Sequence, residues 1–146
     1  MEILTACGTL VYSKRGELLI CHISGNDSWD IPMGFRKRGE SALLAARRSL
    51  YEHVGILVDE KSFNFFGDIG FGSTSKLILH VLRAPNDFVD LANHILTVNY
   101  VPNILAEGQL EFIDGIRWVK ESDVNEFCTP WVARRLLGFS WSAALE

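Results

Sequence analysis

Apolar positions along this chain follow two different periods, and the change of period marks where strands give way to helix. LTACGTLVY (4–12) and ELLICHI (17–23) are apolar, β-rich runs separated by the turn-prone SKRG, which predicts an early strand pair with both members buried. After a polar break, SGNDS, comes WDIPMGFRKRGE, whose proline and glycines argue against regular helix or central strand and predict a structured loop. From Glu40 to His53 the spacing becomes helical: Leu43, Ala46, Leu50 and Val54 form one apolar stripe, and Gly55 stands where the helix should stop. FNFFGDIGF and KLILHVLRA read as two further strands about a Gly/Ser turn, and IDGIRWV as a later one. Near the C-terminus Ser122 is placed to cap a short helix and Pro130 to begin another. Trp131, Leu136, Leu137, Phe139 and Trp141 make that end strongly apolar, which suits a helix packed on the sheet or a contact with a partner. Residues 85–109 carry no pattern that assigns an element. Mixed strands and helices in this order predict an α/β sandwich.

Composition narrows the picture. The chain has 146 residues, 48% of them apolar, which suits one domain over residues 1–146. A formal charge of −4 argues against an extended nucleic-acid surface, although basic residues bunch at Arg36, Lys37, Arg38, Arg47 and Arg48. An anionic ligand should therefore be local and small. Cys7, Cys21 and Cys128 are odd in number, far apart and without a CxxC pair, which predicts buried reduced thiols rather than disulfides or a zinc knuckle. The N-terminus lacks a signal-peptide pattern and no apolar run approaches the roughly 18 residues of a membrane span, so a soluble, cytoplasmic setting is expected.

The candidate chemistry lies in RRSLYEHVG (47–55). At about 100° per residue, Ser49, Glu52 and His53 share an arc of roughly 100° beside the apolar stripe, at the rim of the core and facing the loop of residues 34–39. Written out, Gly34, five residues, Glu40, seven residues and Arg48-Ser49-Leu50-Tyr51-Glu52-His53-Val54-Gly55-Ile56 resembles the Nudix signature G-x5-E-x7-R-E-U-x-E-E-x-G-U, where U is a bulky aliphatic residue. Seven of nine specified positions match, and the departures are Ser49 and His53, where the signature has glutamate. Upstream, GTLVYSKRGELLICHISGNDSWDIPMG resembles the strand pair and W-D-x-P-x-G entry of Nudix domains; downstream, DGIRWVKESDV resembles their last strand and the turn into the terminal helix.

The resemblance implies a Nudix-type α/β/α sandwich with a mixed central sheet. It also implies hydrolysis of a nucleoside diphosphate linked to another group, with Mg²⁺ or Mn²⁺ held by glutamates of the signature helix. Usual substrates of the family include nucleoside triphosphates, dinucleoside polyphosphates, ADP-ribose and capped RNA ends, and the fold alone does not choose among them. Gly34, Glu40, Arg48 and Gly55 become the structural signature, with an Arg48–Glu40 ion pair bracing loop against helix and Gly34 supplying unusual backbone geometry or a metal-facing carbonyl. Glu52 becomes the candidate catalytic residue, with Glu52, His53 and a late carboxylate, Glu111, as candidate metal ligands. Glu107 and Asp114 are the other late carboxylates, and Asp87 and Asp90 lie in the unassigned segment.

Ser49 is a poor ligand and no base, and imidazole suits Mn²⁺, Zn²⁺ or Fe²⁺ better than Mg²⁺. Glu111 stands one position from where the family pattern would put a carboxylate, and in an extended segment one residue turns a side chain to the opposite face. Losing a general base typically costs about 10²–10⁴ in rate, so turnover should be strongly impaired. Arg36, Lys37 and Arg38 are candidate phosphate contacts, with a solvated loop as the alternative. Phe35, Phe71 and Tyr100 are candidates for stacking a base, with core packing as the alternative. His53 is expected to be solvated or loosely packed, and His22, His80 and His94 to be satisfied structural residues. The function expected is recognition of a small-molecule nucleotide or nucleoside-diphosphate derivative with weak or absent hydrolysis. An active pyrophosphohydrolase with an altered metal site, and an interaction module with a vestigial pocket, remain alternatives; a homodimer is also open.

Overall fold

The computed structural model describes residues 4–25, 27–70, 75–84 and 113–145, together with the backbone of 103–104 and 110–111. A seven-stranded mixed sheet organises them. Strand β1 (Leu4–Tyr12) is its centre, because it pairs in parallel along its whole length with β6 (Ser75–Arg83), from Leu4 opposite Ser75 to Tyr12 opposite Arg83. Strand β5 (Asn64–Gly70) lies antiparallel on the outer side of β6, and β9 (Ile113–Val119) lies antiparallel on the outer side of β2 (Leu18–Ile23). A separate two-stranded pair joins β7 (Asn103–Ile104) to β8 (Leu110–Glu111).

The early strand pair is not a simple hairpin. β1 and β2 meet at the register Tyr12–Leu18 and then splay apart. The segment WDIPMGF fills the gap, against the sequence-based expectation of a loop. Its β3 (Trp29–Asp30) pairs with β2, and its β4 (Met33–Phe35) pairs with β1 through Ala6–Phe35, Cys7–Gly34 and Gly8–Met33. Pro32 sits between these two short strands, where no ladder donor is needed from it, and its carbonyl accepts the Thr9 N–H at 3.2 Å. Proline thus interrupts the strand without breaking the sheet.

Alternation along β1 and β6 splits the core in two. Ala6, Leu10, Leu77, Leu79 and Val81 point to one face and pack with Val132, Ala133, Leu136 and Trp141. Those residues belong to α3 (Pro130–Leu137) and α4 (Trp141–Ala144), which follow a 3₁₀ turn at Glu121–Asp123 and the short α2 (Val124–Phe127). Pro130 does begin a helix, whereas Ser122 lies inside the 3₁₀ turn rather than capping α2. On the other face Val11, Leu19 and Leu82 pack with Leu50 and Val54, and Cys7 and Ile78 pack with Ala45 and Ala46. These come from α1 (Ala42–Val54), capped by Ser41, whose Oγ accepts the Leu44 N–H at 3.1 Å. Gly55 ends α1 at φ 74°, a left-handed position that glycine adopts without steric cost. The result is helix, sheet, helix. Cys7, Cys21 and Cys128 are buried thiols outside any disulfide among the described residues, as their spacing predicted. Among the described residues no helix is long and apolar enough to cross a membrane.

Candidate functional site

Insertion of β4 beside β1 brings Gly34 onto helix α1 directly over Ser49. A Cβ built on Gly34 would lie 2.6 Å from the Ser49 Oγ, so only glycine permits this approach. Ser49 is 1% exposed, and its hydroxyl donates to the Ala45 carbonyl at 2.8 Å. The hydroxyl at this signature position is therefore turned back along its own helix.

Arg48, the residue before it, is the hub of the loop. Its Nε donates to Glu40 Oε2 at 2.8 Å and its Nη2 to Glu40 Oε1 at 3.0 Å, a bidentate pair. Nη2 also donates to the Phe35 carbonyl at 3.0 Å, and Nη1 to Glu52 Oε1 at 3.1 Å. Glu40 in turn accepts the Lys37 N–H at 3.0 Å, closing residues 37–40 into a turn against the helix. The Arg48 hydrogen bonds hold the Glu40 carboxyl below its ordinary value, outweighing the partial burial that opposes them. Glu40, foremost, holds the Arg48 guanidinium protonated in return. Glu52, the carboxylate that remains on the signature helix, is thus engaged by an internal cation.

His53 departs from expectation. It is 7% exposed, because on α1 it stands one turn beyond Ser49 and between the buried Leu50 and Val54. The helix face at 49 and 53 is therefore packed into the protein rather than open to solvent. His80 departs too: it is buried opposite Thr9 in the β1–β6 register, and both His80 Nδ1 and Thr9 Oγ1 lack a hydrogen-bond partner among the described residues. Burial holds the His80 imidazole below its ordinary value, which keeps it neutral. His22 is satisfied, through a 2.5 Å contact with Asp114.

Whether these residues fit a divalent ion can be judged from the donors. Among the described residues no three His, Cys, Asp or Glu side chains come together. Ser49 offers a committed hydroxyl, and Glu52 a carboxylate paired with Arg48. Asp114, on β9, is held by His22 of β2. Glu111 belongs to β8, but its side chain lies outside the described residues, as do Asp87, Asp90, His94, Tyr100 and Glu107, and Phe71. The described donors therefore do not make an oxygen-rich octahedral site for Mg²⁺ or Mn²⁺.

Two hollows open at one end of the sheet. The first, of about 480 Å³, is lined by Leu4, Thr5, Glu40 and the loop residues Arg36, Lys37, Arg38 and Gly39. The second, of about 270 Å³, is lined by Ile69 and Gly70 of β5 and by Trp131, Arg134, Arg135 and Phe139 in and after α3. The registers Thr5–Lys76 and Gly70–Lys76 put the strands that border them, β1 and β5, on either side of β6, two strand spacings or roughly 10 Å apart. Trp131 is 60% exposed, so its ring is available at the cleft wall rather than packed in the core. The signal was present in the helical period: Val132, Ala133 and Leu136 form the inward stripe of α3, and Trp131 and Arg134 fall off it. Arg135 anchors that wall, donating to Asp30 at 2.8 and 3.0 Å. Burial pushes the Asp30 carboxyl up, and Arg135 opposes that shift.

Splayed strands, an inserted W-D-x-P-x-G segment and a glycine-stopped helix carrying the Arg48–Glu40 pair define a class of α/β/α hydrolase fold. A family model described as NUDIX domain matches residues 3–137, and the chain belongs to the Nudix family, whose members generally use divalent metals. Solved structures agree on the fold. A MutT structure from a study of Aliivibrio salmonicida and Vibrio cholerae is 16% identical at a TM-score of 0.60, with 98% of this chain and 97% of that one covered. A Caenorhabditis elegans Ap4A hydrolase in a binary complex is 20% identical at a TM-score of 0.60, covering 96% and 97%. The Escherichia coli dihydroneopterin triphosphate pyrophosphohydrolase is 16% identical at a TM-score of 0.60, covering 91% of each chain. A sequence search of curated proteins returned no match.

Proposed function

We propose that this Nudix domain recognises a nucleotide or nucleoside-diphosphate derivative and hydrolyses it weakly or not at all. The observation that carries this is the state of the signature helix: Ser49 and His53 are buried, and Glu52 is paired with Arg48. A metal-assisted hydrolase needs carboxylates free to hold the ion and activate water. At one end of the sheet the means of binding persist. Arg36, Lys37 and Arg38 line one hollow and suit phosphates, while the exposed Trp131 and the half-buried Phe139 line the other, where the Trp131 face suits a flat ring. Divalent metal binding in such a site is weak. The relatives named as Ap4A hydrolase and as a triphosphate pyrophosphohydrolase point to the same ligand class.

The test is phosphate release from nucleoside triphosphates, dinucleoside polyphosphates and ADP-ribose with Mg²⁺ or Mn²⁺, comparing the natural chain with Ser49→Glu/His53→Glu. Turnover confined to the double variant supports binding as the natural role. Turnover by the natural chain that Glu52→Gln abolishes overturns it.

A further inference from the structure

The charge pattern around the basic hollow is the reverse of one that recruits a metal. Arg36, Lys37 and Arg38 are exposed and line the hollow, and none of the three is in an ion pair with a described residue. The nearby described carboxylates, Glu40 and Glu52, are both held by Arg48. Four cations thus meet two carboxylates, and position 49 contributes only a neutral hydroxyl bonded to Ala45. The loop also leads into the N-terminus of the 13-residue α1, whose first turn carries no acidic residue to offset the positive end of the helix dipole. A cluster of this sign repels a divalent cation and attracts an anion.

The geometry points to a site that takes the diphosphate of its ligand without a divalent ion, the phosphate charge being met by Arg36, Lys37 and Arg38. This rests on the nucleotide-binding reading and deepens it. Guanidinium groups supply paired donors to phosphate oxygens and the Lys37 ammonium a point charge, so no bridging ion is required. A magnesium ion carried on the diphosphate neutralises the charge that the loop attracts; it therefore weakens binding or leaves it unchanged.

The experiment is isothermal titration calorimetry of the full chain with inorganic pyrophosphate and with ADP, each in EDTA and in Mg²⁺. Both should bind in EDTA, ADP the more tightly, with no gain on adding Mg²⁺. Arg36→Ala/Arg38→Ala should weaken both by at least about tenfold. Arg15→Ala, an exposed cation in the turn between β1 and β2, should change neither. These loop residues are exposed, so retained thermal unfolding of each variant confirms that the fold is intact. Binding that needs Mg²⁺ or Mn²⁺ overturns the inference and leaves the nucleotide reading standing. Binding in EDTA that survives loss of both arginines overturns it as well. Loop-dependent pyrophosphate binding with ADP no tighter upholds the metal-free anion site and overturns its nucleoside part. No binding of either ligand under any condition overturns both.

Discussion

Replacing Arg48 with glutamine tests the idea that one guanidinium holds the signature loop together. The substitution removes the bidentate contact with Glu40, the contact with Glu52 and the bond to the Phe35 carbonyl. Buried bonds to charged groups contribute about 1.5–3 kcal/mol each, exposed ion pairs about 0.2–1 kcal/mol. Here the Arg48 and Glu40 side chains are 24% and 17% exposed, an intermediate case, so the whole network is worth about 2 kcal/mol after screening. For a chain of this size that lowers Tm by about 4–8 °C at neutral pH. The pH dependence follows from the direction of the Glu40 shift. A carboxyl held below its ordinary value of 4.5 contributes fully above that value, and the contribution is lost as pH falls through the lower folded value. Urea unfolding of the natural chain and Arg48→Gln at about pH 7 and about pH 3 should therefore show a gap that shrinks on acidification. An equal gap at both pH values would place the effect in packing and refute the argument from charge, as would a loss below about 0.5 kcal/mol at pH 7.

Three further outcomes follow from the same structure. Gly34→Ala should destabilise by about 1–3 kcal/mol, because its Cβ would meet the Ser49 Oγ at 2.6 Å, and adding Ser49→Ala should recover much of that loss in thermal unfolding. Leu50→Ala, at a fully buried position between α1 and the sheet, should cost about 2–5 kcal/mol, read as a lower urea midpoint at unchanged slope. Cys7, Cys21 and Cys128 should resist a thiol reagent in the native chain and all react in guanidinium; burial raises the Cys7 thiol and pushes that of Cys128 up to about 11. Rapid native labelling would contradict that burial.

Much of the scaffold was legible from local pattern alone. The stripe of Ala46, Leu50 and Val54, ended by Gly55, located the signature helix within two residues at its start and one at its end, because helix period and a left-handed stop are properties of neighbouring residues. The resemblance to the Nudix signature likewise implied that Gly34, Glu40 and Arg48 act as a unit, and the number and spacing of the cysteines foretold three buried thiols. Residues WDIPMGF were less legible. Pro32 disfavours a strand locally, but the splay of β1 from β2 leaves two half-gaps that β3 and β4 fill on either side of it.

The state of the site depended on tertiary packing. That Ser49, Glu52 and His53 share a helix face follows from the sequence; which of them meets solvent depends on how deeply α1 sits on β1 and β4. Close approach at Gly34 buries Ser49, the same side of the helix takes His53 inward, and the Arg48 fork engages Glu52. Trp131 shows the converse, an aromatic residue in an apolar segment that the rotation of α3 leaves exposed at a cleft. The physical reason is the same throughout. Period and turn chemistry are encoded within a few residues, whereas depth, exposure and the partner of each charge are set by contacts between segments far apart in the chain.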